Sequence, residues 1–417
     1  MSKLIIDGNK KMEGEIDVQG AKNAVLPILA AAILSDGKNI IHNCPHLSDV
    51  EKTIEVLKNL GCRVKRDKNS IEVDSQDISC FTIPEELMRQ MRSSIVFLGA
   101  IIAKFGRAEV SMPGGCEIGV RPIDLHLKAL RQLGVEITES HGFIHCVSKN
   151  PIGAKVHLDF PSVGATENTM LAACLIEGTT VIENAAREPE IEELQNFLNR
   201  MGAKISGAGS DTIIINGVHK LYGVEYTIIP DRIVAATYLA CGASSGGTVV
   251  LKNANSSHMG AMINVLEGMG NKIYTEKERI ILTPSKSLKS IGTIKTMPYP
   301  GFPTDIQSPF MALATQCDGT SVFVENIFEN RFRHIEELVR MGADIQIDGR
   351  VAVVIGKSNL TGAKVMAKEL RGGAALVVAG LCAEGKTEIE NIHYIDRGYE
   401  SIEKVLSSCG VDIKRRE

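Results

Sequence analysis

One phrase recurs six times along the chain and constrains its fold more than any other feature: Leu-x-x-(Leu/Met/Cys)-Gly-x-x-(Val/Ile). Its glycine falls at Gly61, Gly134, Gly202, Gly270, Gly342 and Gly410, at spacings of 73, 68, 68, 72 and 68 residues. Regular self-similarity of this kind marks a fold made of copies of one unit. About two dozen residues before each copy stands a run of small apolar residues, a glycine (Gly37, Gly106, Gly178, Gly247, Gly319, Gly385) and a β-rich stretch such as TTVIEN. Each repeat therefore reads helix, strand, helix, strand, turn, strand.

Local chemistry supports that reading. In the first repeat Ser48 and Glu51 have capping-box spacing, and Val50, Ile54, Leu57 and Leu60 fall on one helical face. Gly61 then ends the helix, because a residue without Cβ enters the left-handed C′ conformation at little cost. The other helix of each repeat is different. AVLPILAAAIL, MLAACLIEG and ALVVAGLCAEG are apolar nearly all round, as expected of helices buried inside a domain.

A chain of 417 residues exceeds what one core usually serves, so the expected partition is two domains of three repeats each. The last repeat has only one strand, VDIKRRE, after Gly410, where earlier repeats have a pair. The strands KLIID and EIDVQ near the start are the candidates to complete it. The expected domains are thus residues 22–229, and residues 1–21 together with 230–417.

Bulk properties exclude several functions. No apolar run approaches the ~20 residues of a membrane span, and Met-Ser-Lys opens into a strand without a signal peptide, so a cytoplasmic protein without membrane insertion is expected. Ten cysteines (Cys44, Cys62, Cys80, Cys116, Cys146, Cys174, Cys241, Cys317, Cys382, Cys409) are scattered singly, which disfavours disulfides and structural zinc. Net charge is −4 with no basic tract and no tryptophan, which argues against nucleic-acid binding. Neither GxxxxGK(S/T) nor a strand-linked GxGxxG occurs, so ATP and dinucleotides are not expected, and neither is a metal.

The repeats depart from one another at the N-terminal ends of their apolar helices. There stand Lys22-Asn23, Arg92-Ser93-Ser94, Ser162-Val163-Gly164, Asp231-Arg232, Asp305 and Glu369-Leu370-Arg371. Single cases such as Ser162 or Asp305 are explained by helix capping. Six such ends, four with Lys or Arg, point instead to an anionic ligand. If the helices run parallel, their free N–H groups and partial positive charge can converge on one cleft. A second cluster lies in the crossovers: Pro113-Gly114-Gly115-Cys116-Glu117-Ile118-Gly119-Val120-Arg121, Ile327-Phe328-Glu329-Asn330-Arg331 and Tyr394-Ile395-Asp396-Arg397. The glycines and proline around Cys116 read as a surface loop. A cysteine there, near Arg121, has a route to thiolate character, whereas the other nine read as incidental thiols.

GAKNAVLP with Lys22-Asn23, PGGCEIGVRPIDLH with Cys116 and Arg121, PSVGATEN, ENAAREPEI, FPTDIQ with Asp305, IFENRF with Arg331 and HYIDRGYE with Arg397 together resemble the UDP-N-acetylglucosamine 1-carboxyvinyltransferases of the enolpyruvyl transferase family, over essentially the whole chain. The resemblance implies an α/β fold, the inside-out α/β barrel, with two domains each of three βαβαββ units. It implies transfer of the enolpyruvyl group of phosphoenolpyruvate to the 3′-hydroxyl of UDP-N-acetylglucosamine, the step that opens peptidoglycan synthesis. Addition and then elimination run through a tetrahedral intermediate and release phosphate by carbon–oxygen cleavage.

By the same resemblance Cys116 protonates the vinyl carbon, can carry a covalent phosphoenolpyruvate adduct and is the target of fosfomycin. Asp305 is placed as base for the sugar hydroxyl. A free carboxylate of pKa about 3.9 is a weak base, so that role needs proximity and desolvation. Lys22, Arg121 and Arg397 match the groups that hold phosphoenolpyruvate, with Arg331 and Arg371 in support. The nucleotide sugar falls to Asn23, Arg92, Arg121, Pro122, Ile123, Asp124, Leu125, Ser162, Val163, Gly164, Asp305 and Ile327. No cofactor is implied, since phosphoenolpyruvate is a co-substrate, and nothing indicates an oligomer. Domain closure with the Cys116 loop as a lid is a further implication.

Glu369 stands where many relatives have aspartate, and a helix N-terminal acid that satisfies the dipole accounts for it. The nearest rival is 3-phosphoshikimate 1-carboxyvinyltransferase, which has an SKS-type motif where Lys22-Asn23 stand and lacks the cysteine loop. An RNA-terminal phosphate cyclase would need an ATP-linked histidine, and His42, His46 and His126 lack that context. The remaining alternative is a non-catalytic paralogue that binds UDP sugars.

Overall fold

The computed structural model describes residues 2–112 and 123–417. Cys116, Arg121 and Pro122, on which much of the expected chemistry falls, lie outside the described residues. Contacts divide the chain into two compact units, one of residues 20–112 and 123–229 and the other of residues 2–19 and 230–417. The first break falls after Gln19, earlier than the Lys22 expected from sequence. Ala21 N–H donates to Ile229 O at 2.8 Å, which ties the segment before Lys22 to the end of the first unit.

Among the described residues, each unit has its own hydrophobic core. The centre of each core is formed by apolar helices. Lys22–Ala31, Phe97–Phe105 and Val163–Ala173 serve the first unit, and Arg232–Ser245, Thr304–Ala314 and Leu370–Cys382 the second. In the second unit all three pack against one another. Arg232–Ser245 is buried from Arg232 through Ser244, which explains its lack of a polar face: a helix enclosed on every side keeps no stripe for water.

Among the described residues, six four-stranded sheets accompany these helices. A typical one runs Lys155–His157, Thr179–Glu183, Thr212–Asn216, Lys204–Ser206; its first pair is parallel and the other two antiparallel. Thr179–Glu183 alternates between buried and more exposed positions, as a strand with one face on the core must. The first unit completes its opening sheet with its own last strand, since Glu225–Thr227 pairs in parallel with Lys38–His42. The second unit uses the start of the chain. Gly14–Asp17 pairs in parallel with Val249–Lys252, and Lys3–Asp7 lies between Lys386–Glu390 and Asp412–Arg416, antiparallel to both. Lys3–Asp7 thus supplies the hairpin partner that VDIKRRE lacks.

The six repeated glycines all adopt positive φ, between +82° and +107°. Each follows an amphipathic helix and turns the chain into the outer strand of its sheet, a conformation that costs other L-residues about 1–2 kcal/mol. The expected capping box at Ser48 does not form. Helix Ser48–Asn59 has Leu47 at its N-cap without a side-chain bond, and Ser48 Oγ is buried without a hydrogen-bond partner. Glu51 pairs instead with Arg66, whose guanidinium also donates to Cys44 O and Pro45 O. A charge-assisted pair outcompetes a neutral reciprocal cap. Among the described residues no helix is long and apolar enough to cross a membrane.

Candidate active site

In the first unit, the polar ends of the apolar helices carry Asn23, Arg92, Ser162, Val163 and Gly164 of the residues expected to hold the nucleotide sugar. Lys22 opens helix Lys22–Ala31 and is buried; its Nζ lies 2.7 Å from Asp49 Oδ2. Asp49 sits in the first turn of helix Ser48–Asn59 and is itself buried. The ion pair keeps a lysine charge at the start of an apolar helix, where the ends of other peptide dipoles oppose it. Asp49 went unrecognised in the sequence, where it reads as an ordinary first-turn acid. Asn23 is half-buried beside Lys22.

Arg92 begins a 3-10 turn, Arg92–Val96, that leads into Phe97–Phe105. Ser162 caps Val163–Ala173 by accepting from Ala165 N–H at 3.4 Å, which leaves Val163 and Gly164 in the first turn. Ile123 precedes helix Asp124–Gln132, with Asp124 exposed and Leu125 half-buried.

In the second unit two helix starts and the turn that carries Arg331 meet around one carboxylate. Asp305 does not cap its helix: Thr304–Ala314 begins at Pro303 without a side-chain cap bond. Its Oδ1 accepts from Arg331 Nη2 at 3.0 Å and its Oδ2 from Arg371 Nη2 at 3.0 Å. Both arginine side chains are almost wholly buried, at 2% and 3% exposure, while Asp305 keeps 29%. Arg331 and Arg371 therefore hold Asp305, with one oxygen each.

Further groups hold the arginines. Arg331 Nη2 also donates to Thr304 O at 3.1 Å, and its Nη1 lies 3.8 Å from Glu369. Arg371 lies against Tyr399, whose hydroxyl is 2.9 Å from Thr237 Oγ1. Burial opposes the Arg371 charge, but Asp305, Tyr399 and Asp231 outweigh it and hold the guanidinium above its ordinary range. Burial and the neighbouring Arg331 push His334 down to about 3, so that ring is neutral. Asp231 caps Arg232–Ser245, accepting from Ile233 N–H at 2.9 Å and Val234 N–H at 3.0 Å.

Glu369 accommodates its extra methylene by folding back over its own helix. It accepts from Arg371 N–H at 2.8 Å and from Gly372 N–H. A Cβ on Gly372 would come within 2.8 Å of both Glu369 Oε1 and His334 Cβ, so glycine is what lets that cap close. Ile327 lies on a turn fastened by buried Glu325, which accepts from Ile327 N–H at 2.8 Å and from Thr304 Oγ1 at 3.0 Å. Arg397 ends the 3-10 turn Ile392–Arg397, half-buried, while its neighbour Asp396 is fixed by Arg415 at 2.6 and 2.9 Å.

Burial pushes the thiols of Cys44, Cys62, Cys146, Cys174 and Cys317 up to about 12, so these five are held as neutral thiols.

The fold is shared with enolpyruvyl transferases of known structure. The crystal structure of the enolpyruvyl transferase NikO from Streptomyces tendae superposes with a TM-score of 0.90 at 22% identity, covering 99% of this chain and 98% of that one. EPSP synthase from Acinetobacter baumannii does so with a TM-score of 0.77 at 17% identity, covering 100% of both chains.

Sequence places the chain more narrowly. It is 55% identical over 415 residues to UDP-N-acetylglucosamine 1-carboxyvinyltransferase 2 of Caldanaerobacter subterraneus subsp. tengcongensis, covering 100% of both. It is 48% identical over 415 residues to the UDP-N-acetylglucosamine 1-carboxyvinyltransferase of Halothermothrix orenii, again covering 100% of both. The chain belongs to the family described as EPSP synthase (3-phosphoshikimate 1-carboxyvinyltransferase), which it matches over residues 6–406, and within it groups with the UDP-N-acetylglucosamine 1-carboxyvinyltransferases.

Proposed function

We propose that this protein transfers the enolpyruvyl group of phosphoenolpyruvate to the 3′-hydroxyl of UDP-N-acetylglucosamine and releases inorganic phosphate, the first committed step of peptidoglycan synthesis. The observation that carries the reading is 55% identity, over the full length of both chains, to a relative of that name. We take the fold to be the inside-out α/β barrel of two three-repeat domains, and the protein to act in the cytoplasm on these two small molecules without a cofactor.

The reaction needs an acid at the vinyl carbon and a base at the sugar oxygen. Cys116 is assigned the first role, with the capacity to hold a phosphoenolpyruvate adduct, and Asp305 the second. The geometry around Asp305 supports a positioned carboxylate. Each oxygen accepts a guanidinium bond, and two such charge-assisted bonds from different elements fix the orientation of the carboxylate. Asp305 accepts the proton as the hydroxyl oxygen bonds to the electrophilic carbon. Lys22, Arg121 and Arg397 are assigned to the phosphate and carboxylate of phosphoenolpyruvate. Arg331 and Arg371 are assigned to holding the Asp305 carboxylate in position.

The test is phosphate release by purified protein without added metal or ATP. Release should require both phosphoenolpyruvate and UDP-N-acetylglucosamine, and Cys116→Ala should abolish it. Release with shikimate 3-phosphate in place of the nucleotide sugar would move the assignment to the shikimate enzyme. Binding of the nucleotide sugar without any release would make the chain a non-catalytic paralogue.

A further inference from the structure

We propose that His126 and Asn168 form a lock that sets the relative positions of the three segments assigned to the nucleotide sugar, an inference that rests on that assignment. The segments are Arg92 at the head of Arg92–Val96, Ile123-Asp124-Leu125 at the head of Asp124–Gln132, and Ser162-Val163-Gly164 at the head of Val163–Ala173. They open three different helices of the first unit, so no local backbone rule keeps them in register.

Asn168 is fully buried, one helical turn beyond Gly164. Its Oδ1 accepts from Gly99 N–H at 2.7 Å. Its Nδ2 donates to Ile95 O at 3.0 Å and lies 2.7 Å from His126 Nδ1. The backbone partners fix the amide: turned over, it would set an NH2 against an N–H and an oxygen against a carbonyl. Nδ1 of His126 is therefore an acceptor, and the proton of the neutral ring sits on Nε2. One side chain thus ties the helix of Arg92, the helix of Ser162 and the helix of Asp124 together.

Two glycines make the close approaches possible. A Cβ on Gly164 would lie 2.8 Å from His126 Cε1 and 3.1 Å from its Nε2, so the imidazole occupies the space a side chain there would need. A Cβ on Gly99 would lie 2.2 Å from Asn168 O, so the two apolar helices touch backbone to backbone. His126 is buried within this cradle. The lock acts on where the three helix heads stand, and so on affinity for the nucleotide sugar; the chemistry of phosphoenolpyruvate does not depend on it. His126 and Asn168 are positioning residues.

Steady-state kinetics on the full-length protein test this. His126→Ala should raise KM for UDP-N-acetylglucosamine about tenfold, the factor that 1.4 kcal/mol represents. Its kcat and its KM for phosphoenolpyruvate should stay within about twofold of wild type, the pattern of lost uniform binding. His126→Asn, whose Oδ1 can take the place of Nδ1 as acceptor, should restore most of the affinity. Gly164→Ala should raise the same KM in wild type and much less in the His126→Ala background, a non-additivity that marks direct coupling. Nitrogen NMR of the His126 imidazole should show the proton on Nε2.

An unchanged KM in His126→Ala with only a lower Tm, parallel loss of all kinetic parameters in a folded variant, or a proton on Nδ1 would overturn the proposal. Should His126→Ala fail to fold, Gly164→Ala and the NMR measurement decide. Wild-type protein inactive with UDP-N-acetylglucosamine would sink the functional reading itself, an outcome distinct from an active wild type with unaffected variants.

Discussion

Raising the pH from about 5 to neutrality should weaken the first unit in part through the carboxyl group of Glu193. This residue lies on helix Pro189–Arg200, is 4% exposed and accepts a hydrogen bond from Ile229 N–H at 3.0 Å. Burial pushes its pKa up to about 7; the bonds from Ile229 and Tyr226 oppose that shift and Glu190 adds to it. In the unfolded chain the group returns to 4.5. Between those values the folded protein binds more protons than the unfolded one, so stability falls as pH rises from 4.5 to about 7 and then levels off. At 1.36 kcal/mol per unit, that interval corresponds to roughly 3 kcal/mol. Denaturant unfolding of wild type and Glu193→Gln at about pH 5 and about pH 8 separates this group from the others, which titrate alike in both proteins. The glutamine stays neutral and can still accept from Ile229. The variant should match wild type at the lower pH and exceed it by up to about 3 kcal/mol at the higher. A gap that does not change with pH, or a glutamine variant less stable at the higher pH, would refute the argument.

Two further outcomes follow from the geometry. Asp305→Asn removes the carboxylate shared by two buried guanidiniums and should cost about 3 kcal/mol in denaturant unfolding, the lower end for a broken buried pair because Asp305 is partly exposed. Its kcat should fall at least about a hundredfold if it serves as base, and turnover near wild type would remove it from the chemistry. Gly202→Ala meets nothing closer than 3.5 Å but sits at φ +107°, so its destabilisation should be about 1–2 kcal/mol, the left-handed backbone cost alone; a neutral result would remove the conformational reason for the repeated glycine.

The sequence made the repeats legible because each needs the same glycine at the same backbone conformation, and because fully apolar helices have one reasonable place to go. It also drew attention to the helix starts, since Lys22, Asp305 and Arg371 have no packing reason to stand there. The details set by long-range partners were not legible. Ser48 and Glu51 satisfy the local spacing rule, yet Arg66 on a later strand decides where Glu51 points. Asp305 reads as a cap, and only the fold brings Arg331 and Arg371 to its two oxygens. Asn168 reads as a polar interruption in an apolar helix, and its partners at Gly99 and His126 lie 69 and 42 residues away. Helical periodicity reports which face is inside and says nothing of which distant group will meet it.

The pairing of Lys3–Asp7 with Lys386–Glu390 and Asp412–Arg416 shapes how the molecule must be made. Residues 3–7 are made long before residues 386–389 and 412–416, between which they pair, while residues 20–229 carry the strands of their own described sheets and can fold as soon as they emerge. Through that interval the opening strand has bare hydrogen-bonding edges, a template for pairing with another nascent copy. Removing the strand Asp412–Arg416 would leave Lys3–Asp7 with one edge exposed for good, so solubility should depend on that strand more than its modest burial suggests.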